Sequence, residues 1–401
     1  MHTETKTILS PPAKQAEPSR LIAEALAEQF AATAIERDRA GGTPQAERDL
    51  LRQSGLLKLA IPRELGGLGA SWSETLDIVR RFAQVDSSVA HVFAFQHLMM
   101  ATVRLFGSAA QTQEWLSKTA RHDWFWGNAL NPLDRRTLGT RRGEGFEFHG
   151  QKSFCSGATD SDMLIASAFD AQQERLVIAA VPTAREGITV HRDWDNMGQR
   201  QTDSGSVTFD HVLIEQREVL SHPGPFSSPF ACLRSLIAQL ILTHIYLGLA
   251  EGALASARAY TLQNTKPWMA SPAASANEDL YVLAHYGEFR VALEGASLLT
   301  QRAARLLDEA WQRGLSLTEA ERGEVAIAIA TAKVAATRAG LDLTSRMFDV
   351  AGARATHAGL RLDRFWRNLR THSLHDPVDY KLRELGDWTL NARYPKPTFY
   401  S

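Results

Sequence analysis

Gly145-Phe146-Glu147-Phe148-His149-Gly150 alternates apolar and polar side chains between two glycines. Period-two alternation bounded by turn residues marks a half-buried strand. Four further runs of the same texture follow: Met163 to Ala168, Arg175 to Val181, Gly187 to Val190 and Ser206 to Phe209. Val, Ile, Phe and Thr are enriched in them, and Gly, Asp or Pro punctuates their ends. The spacing predicts a small antiparallel β-domain over residues 123–222.

Outside this stretch the period changes. On the N-terminal side, Ile22, Ala25, Leu26, Phe30 and Ala34 recur at helical spacing, and Ser73 to Phe106 is a long run rich in Ala, Val and Phe. Residues 20–122 are expected to form a helical domain, with residues 1–19 as a mobile arm. On the C-terminal side the helical period returns in Leu233 to Gln263, Asn277 to Arg313 and Thr318 to Phe348, with a shorter segment from Pro377 to Leu390. Residues 223–401 are expected to form an antiparallel four-helix bundle. The expected fold class is α+β, in the order helical domain, β-domain, bundle.

Composition excludes several function classes. The 401 residues carry a formal net charge of -1 with no long run of one sign, so no field draws nucleic acid or an anionic membrane. Two cysteines, Cys155 and Cys232, make neither a disulfide framework nor a metal spacing, and a reducing cytoplasm is expected. The most apolar window, Leu236 to Ala250, is interrupted by Gln239, Thr243 and His244 and reads as a buried core helix. His372 and His375 are three apart, but no further ligand clusters with them, so no metal is expected.

Five motifs, in order, resemble the acyl-CoA dehydrogenase superfamily along nearly the whole chain. They are Pro62-Arg63-Glu64-Leu65-Gly66-Gly67-Leu68-Gly69, Gly150-Gln151-Lys152-Ser153-Phe154-Cys155-Ser156-Gly157, Val207-Thr208-Phe209-Asp210-His211-Val212, Phe348-Asp349-Val350-Ala351-Gly352-Ala353-Arg354, and Leu362-Asp363-Arg364-Phe365-Trp366-Arg367-Asn368. Two longer stretches, Asp193 to Ser206 and Phe365 to Pro377, resemble its flavin monooxygenase branch, which includes dibenzothiophene monooxygenase and sulfur-acquisition enzymes. That resemblance implies reduced FMN from a separate NAD(P)H:flavin reductase, oxygen adding at C4a to form a hydroperoxyflavin, a small or aromatic, organosulfur-type substrate, and a homotetramer. FAD, with a true acyl-CoA dehydrogenase activity, is the alternative, and a non-catalytic relative the second.

The chemistry separates these readings. A dehydrogenase needs a carboxylate base aimed at the substrate α-carbon. Read in register, the family's usual Glu position holds Asp376 before Pro377, and residues 219–250, where the other known base lies, contain no Asp or Glu. Asp376 and Pro377 also suit a helix N-cap and first turn. Next to that cap, a helix N-terminus disfavours a charged imidazolium, so His375 is expected to be neutral and able to accept a proton.

By the resemblance, His375 is the acid/base and His91 a second catalytic residue; His91 and Phe95, one helical turn apart, face the substrate with Trp194, and Trp194 and His375 also contact the cofactor. Phe95 stands where the branch usually has Tyr. Asn128 and Ser156 match positions that touch the flavin's reactive edge, an oxyanion-hole-like task, and Phe154 and His372 belong to the same cofactor-binding set. Lys266, Arg354 and Thr356 match positions that hold the flavin phosphate, partly from a neighbouring subunit. Arg354 and Thr356 also alter the dehydrogenase glycine turn along the dinucleotide tail, which favours FMN over FAD.

Overall fold

The computed structural model describes residues 17–401. Most of the expected N-terminal arm, residues 1–16, lies outside the described residues; Glu17 to Ser19 form the first turn of a helix. Five helices come first: α1 (Glu17–Ala40), α2 (Gln45–Ser54), α3 (Trp72–Ala83), α4 (Ser87–Phe106) and α5 (Ala109–His122). Seven strands follow: β1 (Trp126–Ala129), β2 (Leu138–Arg142), β3 (Gly145–Lys152), β4 (Met163–Asp170), β5 (Arg175–Pro182), β6 (Ile188–Val190) and β7 (Val207–Ile214). The chain then returns to helix in α6 (Leu233–Asn264), α7 (Leu280–Arg313), α8 (Glu319–Ala351), α9 (Asp363–Ser373) and α10 (Val378–Asn391). This is the expected α+β order of helical domain, sheet and helical bundle.

The sheet runs β1-β4-β2-β3-β7-β6, with β5 added on β4. Most pairs are antiparallel, as the hairpin spacing implied. The exceptions are β1 with β4, and Leu138 of β2 opposite Phe169 of β4, which run parallel. A parallel pair needs a long crossover, and the β2–β3 hairpin supplies it. Alternating strand residues such as Phe146, Phe148, Val207 and Phe209 bury on one face and form the β-domain's own core.

α4 is apolar almost all round, and all of its residues but Arg104 are buried. It starts where Asp86 accepts from the amides of Ser88 and Val89, at 2.9 and 3.0 Å, a side-chain N-cap. α6 is the central bundle helix. At Gly252 an added Cβ would meet the Gln84 carbonyl at 1.9 Å, so only glycine lets α6 approach the end of α3 this closely. α4 and α6 are both long and apolar enough to cross a membrane, but 94% of each apolar window is packed inside the protein.

Three core histidines make the fold acid-sensitive. Burial pushes His91 and His97 down to about 3 and His244 to about 4, from an ordinary 6.5. Below pH 6.5 the unfolded chain takes up protons that the folded chain refuses, so stability falls with pH by up to about 1.4 kcal/mol per unit for each histidine. The urea midpoint should drop between pH 7.5 and 5. In His97→Leu, which removes an imidazole whose two nitrogens are buried without partners, the drop should be visibly shallower. An unchanged slope would mean that the ring is hydrated.

Candidate active site

A cavity of about 690 Å³ opens where α4, α6 and α9 face the sheet. That size suits a cofactor-sized ligand. α4 aims His91 and Phe95 into it from one face, their ring centroids 4.0 Å apart. The His372 ring lies 4.8 Å from His91. Both His91 nitrogens and Nε2 of His372 are buried without a protein partner. Burial, reinforced by neighbouring histidines, keeps both rings well below their ordinary pKa, so both are neutral.

The sheet side is built by a loop that the sequence makes rigid. Gly198 packs so closely on α9 that a Cβ would sit 2.1 Å from the Arg367 carbonyl. Next to it, Gln199 organises the wall. Its amide donates to Asn368 Oδ1 at 2.7 Å, its carbonyl accepts from Trp194 Nε1 at 2.8 Å, and its side-chain nitrogen lies 3.3 Å from His372 Nδ1. Trp194 thus lines the cavity in a fixed orientation. Phe154 stands beside it, ring centroids 6.0 Å apart, 59% exposed and at φ 58°, where a non-glycine residue is strained.

Behind these rings is a hydroxyl chain. Ser156 Oγ and Thr202 Oγ1 each lie 2.8 Å from Ser204 Oγ. Asn128 is fixed by its backbone N–H to the Ser156 carbonyl at 2.9 Å, and its Oδ1 accepts from Leu130 N at 3.1 Å. Its side-chain NH2 is left to donate into the cavity. An aromatic pair with Phe154 exposed, a free amide donor, a hydroxyl row and two neutral imidazoles with three nitrogens lacking a protein partner fit a planar heteroaromatic ring with carbonyl and nitrogen acceptors. That is the donor set a flavin needs.

His375 closes the C-terminal end, and here the local reading of Asp376 is corrected. Asp376 does not cap α10; Pro377 precedes that helix and no side-chain cap bond is formed. Both Asp376 oxygens instead lie 2.7 Å from Lys333 Nζ, and Oδ1 lies 3.0 Å from His375 Nδ1. Burial alone would raise the Asp376 carboxyl, but His375 and Lys333 together hold it well below the usual carboxylate range. Burial presses Lys333 down to about 8, which still leaves an ammonium at neutral pH. The carboxylate therefore accepts a hydrogen bond from His375 Nδ1–H, and Nε2 has no protein partner among the described residues.

Lys266, Arg354 and Thr356 lie elsewhere. All three are exposed and absent from the cavity wall. Thr265 Oγ1 donates to the Ala351 carbonyl at 3.0 Å, which brings the ends of α6 and α8 together there. α6 runs unbroken from the cavity to that point, about 40 Å at 1.5 Å per residue. In one chain these residues and the cavity cannot share a mononucleotide.

Gln199, Gln239, Arg234, Lys333 and Tyr400 shape the site without having been picked out as site residues. Arg234 and Lys333 did leave a signal. Each is the lone cation in an apolar or alanine-rich helical stretch, and such a charge needs a partner or a task.

The fold and this donor set define a flavoprotein of the acyl-CoA dehydrogenase family, and the chain belongs to that family. Its N-terminal, middle and C-terminal domain models match residues 13–123, 130–212 and 240–380. Among curated proteins, a probable FMNH2-dependent monooxygenase, SfnC of Pseudomonas putida, is 61% identical over 385 residues, covering 96% of this chain and 98% of the relative. Dibenzothiophene monooxygenase of Rhodococcus erythropolis is 43% identical over 395 residues, covering 95% of each. Among solved structures, methanesulfinate monooxygenase MsuC of Pseudomonas fluorescens is 62% identical with a TM-score of 0.94, covering 98% of this chain and 100% of that one. TdsC of Paenibacillus sp. A11-2, in complex with FMN and indole, is 43% identical with a TM-score of 0.91, covering 95% and 99%.

Proposed function

We propose that this chain is a reduced-FMN-dependent monooxygenase of the two-component type, acting on an organosulfur substrate. One observation carries the reading over the dehydrogenase alternative. Among the described residues lining the cavity there is no Asp or Glu, and Asp376, at the position of the usual base, is held by Lys333 and His375. The cavity therefore lacks the carboxylate base that the dehydrogenase reading requires.

Bound reduced FMN supplies the electrons that activate oxygen. The chain's residues then do four things. Phe154 and Trp194 wall the ring, Asn128 and Ser156 donate hydrogen bonds at its reactive edge, and the apolar α4 face with Phe95 excludes water. His375 moves the proton at Nε2, its Nδ1 anchored on Asp376. Two features support an assembly in which another subunit supplies the phosphate contacts, the homotetramer of the sequence reading. Among the described residues Arg234 is the only lysine or arginine in the cavity wall, and Lys266 and Arg354 sit at the opposite end of α6. Two buried free cysteines suit a reducing cytoplasm.

The test is anaerobic titration followed by turnover. The protein should bind reduced FMN more tightly than oxidised FMN or FAD. With a flavin reductase, NADH, FMN and air it should consume an organosulfur compound such as methanesulfinate or dibenzothiophene. Tight FAD, bleached by an acyl-CoA, would overturn the proposal.

A further inference from the structure

We propose that Arg234 is a specificity residue that selects a substrate with a small anionic head, a sulfinate or a comparable organic oxyanion, over neutral sulfur compounds. The inference deepens the monooxygenase reading and rests on it.

Arg234 lies in the first turn of α6 and lines the cavity while only 7% of it is exposed. Its Nε donates to Thr102 Oγ1 at 3.3 Å, a neutral partner. Neither Nη nitrogen has a hydrogen-bond partner in the protein, and no described carboxylate comes within ion-pair distance of the guanidinium. Of the other two buried arginines, Arg48 is paired with Asp160 and Asp203 and bonded to the Gly157 carbonyl, and Arg322 donates to the Pro395 carbonyl without a carboxylate partner; neither lines the cavity. A buried charge without a counter-charge is costly, and Arg234 is the one of the three that faces a cavity where a ligand could supply it.

The surroundings point the same way. The wall around Arg234 offers donors and neutral rings but no carboxylate. Phe95, Leu98 and Ala238 make the approach apolar. Guanidinium suits a two-oxygen anion because its N–H groups can pair with both oxygens at once. His375 shares this cavity, so an anion held by Arg234 would keep its sulfur within the space where the proton is managed. Arg234 stands among helical residues, whereas Trp194, Phe154, Ser156 and Asn128 belong to the sheet side. That separation assigns the anion to the substrate rather than to the cofactor's phosphate.

The test uses holoenzyme with a flavin reductase, NADH and FMN. Methanesulfinate is the anionic probe and dimethyl sulfoxide, of the same heavy-atom count, the neutral one. Wild type should prefer the sulfinate by on the order of 100-fold in kcat/KM. Arg234→Met should raise KM for the sulfinate by about 100-fold and leave kcat/KM for the sulfoxide within about threefold. Arg234→Lys, which keeps the charge but not the fork, should lie between. Equal affinity of Arg234→Met for reduced FMN and reduced riboflavin, relative to wild type, is also expected. A selective loss of FMN affinity would give Arg234 to the cofactor phosphate and overturn the proposal, as would an unchanged sulfinate KM. Should Arg234→Met not fold, the wild-type preference and Arg234→Lys decide the matter. If wild type oxygenates sulfides or sulfoxides without preference for the sulfinate, the anion inference fails while the monooxygenase reading stands. If it oxygenates no organosulfur compound, the reading itself fails.

Discussion

His375→Ala is expected to lower the rate of product formation by roughly 10²–10⁴-fold, the usual worth of a positioned acid/base. The loss should fall on coupling more than on oxygen use. The aromatic pair and the Asn128 and Ser156 donors remain, so reduced flavin still binds and oxygen is still consumed. Without the Nε2 group to move the proton, reducing equivalents should leave as hydrogen peroxide. The measurement is product formed per oxygen consumed, with peroxide trapped by peroxidase. A variant as tightly coupled as wild type would remove His375 from the chemistry. His375→Gln, which keeps a hydrogen-bonding side chain but cannot relay a proton in the same way, should resemble the alanine variant in coupling.

Lys333→Met is expected to cost about 3–5 kcal/mol of stability, because it strands the Asp376 carboxylate in a buried site. Lys333 is 1% exposed at its side chain and satisfies both Asp376 oxygens at 2.7 Å, with Gln239 as a third partner. Methionine fills the space but offers no charge. The double variant Lys333→Met/Asp376→Asn should recover most of the loss, since no unpaired charge then remains. Activity separates the two effects. The double variant should be stable yet poorly coupled, because the amide no longer anchors His375 Nδ1 as a carboxylate does. Chemical denaturation at pH 7.5 reads the first effect and peroxide release the second. The sign with pH is fixed by Asp376. Its folded pKa is depressed below 3.8, so its stabilisation is present above that value and is lost as the solution becomes more acidic.

The fold was legible because its signals are local and periodic. Glu147 alternating with Phe146 and Phe148 announced a strand, and Ile22 to Ala34 a helix. The parallel pairing of β1 with β4 was not, since nothing in Trp126 to Ala129 says which way its neighbour runs. The site was legible where a motif carries it: His91, Phe95, Asn128, Phe154, Ser156, Trp194, His372 and His375 all reach one cavity. It was illegible where partners meet from distant helices. Gln239 and Lys333 lie on α6 and α8, and only packing brings them to Asp376. Read locally, Asp376 before Pro377 is a helix cap; read in space, it is the shared partner of Lys333 and His375. Lys266, Arg354 and Thr356 show the converse, where matching positions lie far from this chain's own cavity.

The central claim is that the cavity oxygenates its substrate and has no carboxylate base for dehydrogenation. Oxygen-18 labelling in a single turnover tests it most directly. Protein loaded anaerobically with reduced FMN is mixed with ¹⁸O2 and methanesulfinate, with no reductase present. One labelled oxygen atom in the product per flavin oxidised is the predicted result. An unlabelled product, together with reduction of bound flavin by an acyl-CoA in the absence of oxygen, would contradict it.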